Sequence, residues 1–198
     1  YVLTVDSNGD AGWEAASGAG TGEQFVKLKN GSGNAYDSGY NTYAGYRSGN
    51  GLASGANENT FYGGDAGQAV TTGDNNTLIG AICGETITTG GGNTGVGQDC
   101  LRALTTGSNN TAVGKEAFKG GGGCTGSNNT ALGAYSYFAG TTGSRNVAIG
   151  FEAGKSLTTG SDNIAIGYQA LNTATNGGEN IAIGPSALKL LPAGDEND

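Results

Sequence analysis

A tetrad of Asn, then Thr, Val or Ile, then a variable and an apolar residue, followed by Gly, recurs nine times along this chain. The Asn residues are Asn41, Asn59, Asn76, Asn93, Asn110, Asn129, Asn146, Asn163 and Asn180. Six of the eight intervals are 17 residues and the other two are 18 and 19. A unit this short cannot bury a core by itself. Neighbouring units must therefore stack on one another, and each must repeat the path of the one before it.

Composition agrees with a solenoid once the repeat is recognised. Only 35% of the 198 residues are hydrophobic and 41 are Gly, whereas an average protein has roughly 7% Gly. Without order these numbers would describe a disordered chain, but here the glycines fall at fixed phases, as demanding corners require. The net charge is −8 and the nine Lys and Arg residues form no basic stripe, which argues against a nucleic-acid partner. No apolar run approaches the ~18 residues of a membrane span, so membrane insertion is not expected. Asn197 lies 17 residues beyond Asn180, and a tenth repeat is expected to begin there in a longer protein.

Within a unit, short segments bounded by Gly, Asn and Thr have strand length and no helical period. The predicted fold class is all-β: a parallel β-roll, or β-solenoid, of about nine 17-residue coils. Gly80 and Gly90, and their counterparts Gly97 and Gly107, are expected at the corners, where positive φ turns the backbone. In Asn163-Ile164-Ala165-Ile166-Gly167, alternation puts Ile164 and Ile166 on one face and Asn163 and Ala165 on the other. The small face, with Ala112, Ala131, Ala148, Ala165 and Ala182, is expected to meet other chains, and a trimer is the preferred assembly. Coils stacked about 4.8 Å apart make a roll roughly 40 Å long.

The repeated Asn is read as scaffold, its amides stacking along the axis and capping turns. Thr-Thr pairs such as Thr71-Thr72 and Thr88-Thr89 suit β-ladders at a rim. Between Asn110 and Asn129 two extra residues enter a Gly120, Gly121, Gly122, Gly123 run and should bulge as a small loop. Residues 1–34 lie outside the repeat and residues 35–198 form the repeat domain. In the first part, Tyr1 through Val5 and Gly12 through Ala15 read as a hairpin across an Asp6-Ser7-Asn8-Gly9-Asp10 turn. A flexible joint, Gly18-Ala19-Gly20-Thr21-Gly22, and a short strand at Phe25 to Leu28 follow.

Catalytic chemistry has little to work with. The chain has no His, which removes Ser-His-Asp and Cys-His arrangements, and its Gly-rich runs lack the Lys-Ser/Thr ending of a phosphate loop. No closely spaced carboxylate pair occurs in the repeats, so no enzyme activity is expected. The Asp-rich nonapeptide of calcium-binding rolls is missing too, and neither a metal nor another cofactor is expected. Cys83 and Cys100 occupy the same phase one repeat apart and should be vertical neighbours. Packing as small hydrophobes is the preferred reading, because parallel Cβ vectors make a disulfide awkward. Two aromatic groups remain. Tyr36, Tyr40, Tyr43, Tyr46, Phe61 and Tyr62 crowd the first coils and are read as an end cap. Phe118, Tyr135, Tyr137 and Phe138 surround the insertion and are the residues proposed to stack on glycan rings.

Asn146-Val147-Ala148-Ile149-Gly150 and the two repeats after it resemble the head repeat of trimeric autotransporter adhesins. Asn110-Thr111-Ala112-Val113-Gly114, with an intervening Leu-Thr-Thr-Gly-Ser such as Leu157 to Ser161, is similar to repeats of phage tail fibres. The resemblance implies a homotrimeric extracellular fibre on a virion appendage or cell surface, attaching to a host glycan or protein receptor. Three other functions fit the same coils: a self-assembling filament joined head to tail, a bacterial adhesin head, and an ice-binding β-solenoid.

Overall fold

The computed structural model describes residues 2–5, 11–14, 26–28, 40–53 and 55–190. The turn at 6–10, the joint at 18–22, Tyr36 and the tenth repeat lie outside the described residues. β1 (Val2–Val5) and β2 (Ala11–Glu14) pair antiparallel as a two-stranded hairpin. β3 (Val26–Leu28) pairs antiparallel with β4 (Thr42–Ala44). From there every pairing is parallel, through β5 (Thr60–Tyr62), β6 (Thr77–Ile79), β7 (Thr94–Val96), β8 (Thr111–Val113) and β9 (Thr130–Leu132). β10 (Val147–Ile149), β11 (Ile164–Ile166) and β12 (Ile181–Ile183) complete a ten-stranded sheet in strict chain order. The chain is an all-β parallel solenoid, and no helix occurs among the described residues.

Each coil supplies one three-residue strand and closes through turns. Register is strict: Ala148 faces Ala131 and Ala165, and the same residue phase meets in every pair. The turn walls are also bonded coil to coil. Tyr137 N–H donates to the Ala153 carbonyl at 2.8 Å, and Thr88 N–H to the Thr105 carbonyl at 2.8 Å. The first Thr of each Thr-Thr pair adds a side-chain rung, with Thr158 Oγ1 donating to the Thr175 carbonyl at 2.8 Å. The insertion is expelled as exposed residues 121–123, while β8 and β9 on either side stay in register.

The two strand faces serve the opposite purposes to those expected. Ala112, Ala131, Ala148, Ala165 and Ala182 are fully buried inside the roll. The β-branched residues beside them point outward, with Ile181 53% and Ile183 66% exposed. Size decides this more than hydrophobicity does. A coil of 17 residues encloses a narrow interior, and close packing across it leaves no room for two large side chains at one level.

The opposite wall makes the constraint explicit. The residue two after the repeat Asn faces the residue eight after it, and where one of the two is large the other is small. Phe61 is paired with Gly67 and Leu78 with Gly84, where an added Cβ would stand 2.8 and 2.7 Å from those side chains. Further along the order reverses: Ala112 lies with Phe118, Ala131 with Tyr137 and Ala165 with Leu171, all buried. Gly95 takes the Ala position because a Cβ there would meet Cys83 Sγ at 2.6 Å and Cys100 Sγ at 3.0 Å.

The corner glycines have two different causes. Gly80 has φ +136°, a backbone conformation closed to other residues. Gly90 is not at positive φ, contrary to the sequence expectation; it is Gly because a Cβ would strike the Gly107 carbonyl of the next coil. The left-handed residue at that corner comes two positions later, at Gly92, Asn109, Asn128 and Asp162. Ile82, with φ 62°, is a β-branched residue in the same left-handed region, at a turn position where other coils carry Asp65, Asp99, Glu116 and Glu152.

Candidate functional site

The nine repeat asparagines are buried and form one continuous ladder from Asn41 to Asn180. At each step the Oδ1 of one Asn accepts from both the backbone N–H and the Nδ2 of the next. For Asn110 and Asn129 the two distances are 2.9 and 3.1 Å. The same Nδ2 also donates across the corner to a glycine carbonyl, as Asn129 does to Gly143 at 3.0 Å. Every amide is thus engaged within the scaffold, and the ladder presents no group to a ligand.

The thiols are internal as well. Cys83 and Cys100 are buried and free, with their Sγ atoms 3.0 Å apart. Hydrogen bonding with Cys100, then burial, raises the Cys83 pKa well above the ordinary thiol range, so it stays protonated. No cluster of three or more metal-ligating side chains occurs among the described residues.

The four aromatics proposed as a glycan patch do not form one surface. Phe118 and Tyr137 are fully buried core residues, their ring centroids 4.7 Å apart. They fill the wall opposite Ala112 and Ala131, where size complementarity demands bulk. The Tyr137 hydroxyl donates to the Gly143 carbonyl at 3.0 Å and accepts from Asn146 Nδ2 at 3.1 Å. It therefore braces the Asn ladder, and burial raises its pKa. Tyr135 and Phe138 do lie at the surface, half-buried, with centroids 5.9 Å apart.

Two further aromatics extend this surface pair. Phe151 is 44% exposed and Tyr168 54%. Phe151 packs edge-on to Tyr135 at 5.9 Å, and stacks with Tyr168 at 5.9 Å and 10° between planes. The sequence carried a signal for them: both stand five residues after a repeat Asn, in the column beside Tyr135. Adjacency of the coils brings Phe138, Tyr135, Phe151 and Tyr168 together, although the last is 30 residues from the first of them in sequence.

Charged side chains frame the strip. Lys119 pairs with Glu116 at 2.9 Å and Lys155 with Glu152 at 2.6 Å. The Lys119 ammonium lies 5.5 Å from the Phe138 ring centre and that of Lys155 lies 6.0 Å from the Tyr135 ring centre. The lysine partners hold both carboxyls below their usual pKa; Tyr135 adds a weaker hydrogen bond at Glu116, and Gln169 adds one at Glu152, 2.7 Å away.

The first-coil aromatics divide in the same way. Phe61 is buried and Tyr43 packs against the core, as an end cap requires, whereas Tyr40, Tyr46 and Tyr62 are exposed.

The second surface feature is the outward face of the sheet. From β4 to β12 the strands contain no charged residue. Its outward columns run through six threonines, Thr42 to Thr130, and then Val147, Ile164 and Ile181; beside them lie Ile79, Val96, Leu132 and Ile183, all exposed. No protein-family model, curated protein or solved structure matches the chain.

Proposed function

We propose that this chain is a structural and adhesive segment of a trimeric extracellular fibre, holding attachment surfaces on a rigid rod against a host surface. The observation that carries the reading is the uncharged outward face running over nine consecutive parallel strands. A solvated strand face ordinarily carries charge, and a long uncharged face with a column of exposed apolar residues marks an interaction surface. In a parallel bundle every level of one chain meets the same level of its copies, so a face of constant chemistry is self-complementary. This replaces the alanine face as the place of contact.

Geometry bounds the strength of the contact. Nine strands spaced about 4.8 Å apart and three residues wide give a footprint of about 38 by 10 Å on each chain. Three such faces total about 1,200 Å², the lower edge of stable interfaces. Association through this face alone is therefore weak and concentration-dependent, strongest where Val147, Ile149, Ile164, Ile166, Ile181 and Ile183 make both columns aliphatic.

Sedimentation equilibrium of the chain across a concentration series tests the reading. The expected result is a monomer–trimer equilibrium that shifts to monomer in Ile164→Lys plus Ile181→Lys. A monomer at every concentration, or association insensitive to those charges, rejects the face. Attachment is tested by binding of the fluorescent chain to candidate host cells.

A head-to-tail filament is the less favoured reading. β3 runs antiparallel along β4 and occupies the N-terminal sheet edge, where a stacking neighbour would have to add a parallel strand. An ice-binding face would need its Thr column maintained, and that column ends at Thr130.

A further inference from the structure

We infer that the strip formed by Phe138, Tyr135, Phe151 and Tyr168 is a binding platform for an anionic saccharide. The inference gives the attachment reading its ligand class and moves the site away from the insertion loop onto the coils beyond it.

Two observations converge on this strip. The first is the aromatic series: successive ring centroids 5.9 Å apart, with Phe151 and Tyr168 about half exposed. Ring faces and edges 5.9 Å apart match the apolar C–H faces of successive pyranose units, and they sit on a backbone hydrogen-bonded from coil to coil. The second is charge. Lys115, Lys119, Lys155 and Lys189 surround two carboxylates, Glu116 and Glu152, so the island carries excess positive charge on a chain of net charge −8. Its carboxylates are already neutralised by lysine partners at 2.9 and 2.6 Å. The surplus ammonium groups are Lys115, 53% exposed and only 3.8 Å from an occupied carboxylate, and Lys189.

Backbone chemistry separates a saccharide from an acidic peptide. A peptide adding as a strand needs free N–H and C=O groups. The strip lies on turn residues that offer no free strand edge, and alternate N–H groups beneath it are spent between coils: Tyr135 N–H donates to Lys115, Glu152 N–H to Ala134 and Gln169 N–H to Phe151, at 3.0, 3.1 and 2.9 Å. What remains is ring surface and ammonium groups, with the Gln169 amide held by Glu152 beside them, a set suited to a ligand with apolar ring faces, hydroxyls and carboxylates or sulfates. At physiological ionic strength the Debye length is about 8 Å. The ligand's anionic groups therefore respond to the local lysines and not to the acidic rod as a whole.

The test is isothermal titration of the full chain with an alginate oligosaccharide in physiological salt, beside a dextran oligosaccharide of matched length and oligoglutamate. Alginate is expected to bind, more weakly as salt rises. Affinity should fall at least tenfold in Phe151→Ala plus Tyr168→Ala, and at least tenfold in Lys115→Gln plus Lys155→Gln. Superposable circular dichroism melts of the two double variants and wild type secure the fold, since all four positions lie at the surface. No alginate binding, or undiminished binding by the aromatic pair, overturns the platform. Equal binding of dextran overturns the anionic preference, and equal binding of oligoglutamate overturns the saccharide. Sedimentation of the same samples reports chain association separately, so failure of the fibre reading is seen without reference to the ligand.

Discussion

Replacing Asn110 by Ala removes one rung from the middle of the ladder, and the consequences can be counted. The Asn129 backbone N–H loses the Oδ1 acceptor at 2.9 Å, and the buried Gly126 carbonyl loses the Nδ2 donor at 2.9 Å. Two other groups keep partners: Asn129 Nδ2 still donates to Gly143 at 3.0 Å, and Asn93 Oδ1 still accepts from the backbone of residue 110 at 3.0 Å. Each buried polar group left unpaired costs about 1–3 kcal/mol, so the loss is about 2–6 kcal/mol. That is a large part of the ~5–15 kcal/mol that holds a domain folded. Urea unfolding followed by circular dichroism, at fixed chain concentration, measures it. Gln98→Ala, at an exposed position, should stay within about 0.5 kcal/mol of wild type. If Asn110→Ala is as mild as Gln98→Ala, the ladder is not what holds adjacent coils in register.

Other outcomes follow from the same packing. Ile82→Asn should raise stability by about 1 kcal/mol, because a β-branched residue at φ 62° is strained where Asn is tolerated; a lower melting midpoint contradicts this. Gly95→Ala should cost about 1–3 kcal/mol by overpacking against Cys83 and Cys100. Adding Cys83→Ala should recover much of that loss, and additive losses in the double variant would show that the two positions do not share space. The protonated, buried Cys83 and Tyr137 have folded pKa values above their unfolded ones, so their contribution is intact below about pH 8.5 and declines as pH rises above it. Melting temperature should fall from that point upward, and less so in Cys83→Ala. Glu116 and Glu152 have depressed folded pKa values, so their contribution is present above the ordinary carboxylate range and is lost as pH falls through the folded values; Glu152→Gln should flatten part of that acid limb.

The period alone disclosed the class of fold, because a strict recurrence of Asn with Gly four residues later leaves few ways for a chain to stack. Individual side chains were harder to place. Alternation separated Ala165 from Ile164 and Ile166 correctly, but hydrophobicity suggested the wrong face for the interior; the narrow coil selects small residues there, and that is a matter of cross-section. The same cross-section put Phe118 and Tyr137 inside, beside alanines, although each is aromatic and close to an irregular loop. Their burial could have been anticipated from Phe61 with Gly67 and Leu78 with Gly84, where large and small exchange places between two fixed positions of the repeat. Phe151 and Tyr168 escaped notice because they are 17 residues apart in sequence, and only a column-by-column reading shows that they touch. Gly90 needed the neighbouring coil to be understood, since its constraint is a carbonyl of the next turn and not its own φ.

The claim on which the account turns is that the uncharged outward sheet face joins three parallel copies. Sedimentation equilibrium of wild type and of Ile164→Lys plus Ile181→Lys measures it directly. A trimer joined through this face gives a wild-type mass that rises with concentration toward three times that of the chain, and a variant that stays at the mass of one. A wild type that remains a monomer throughout, or a variant that associates as well as wild type, contradicts it.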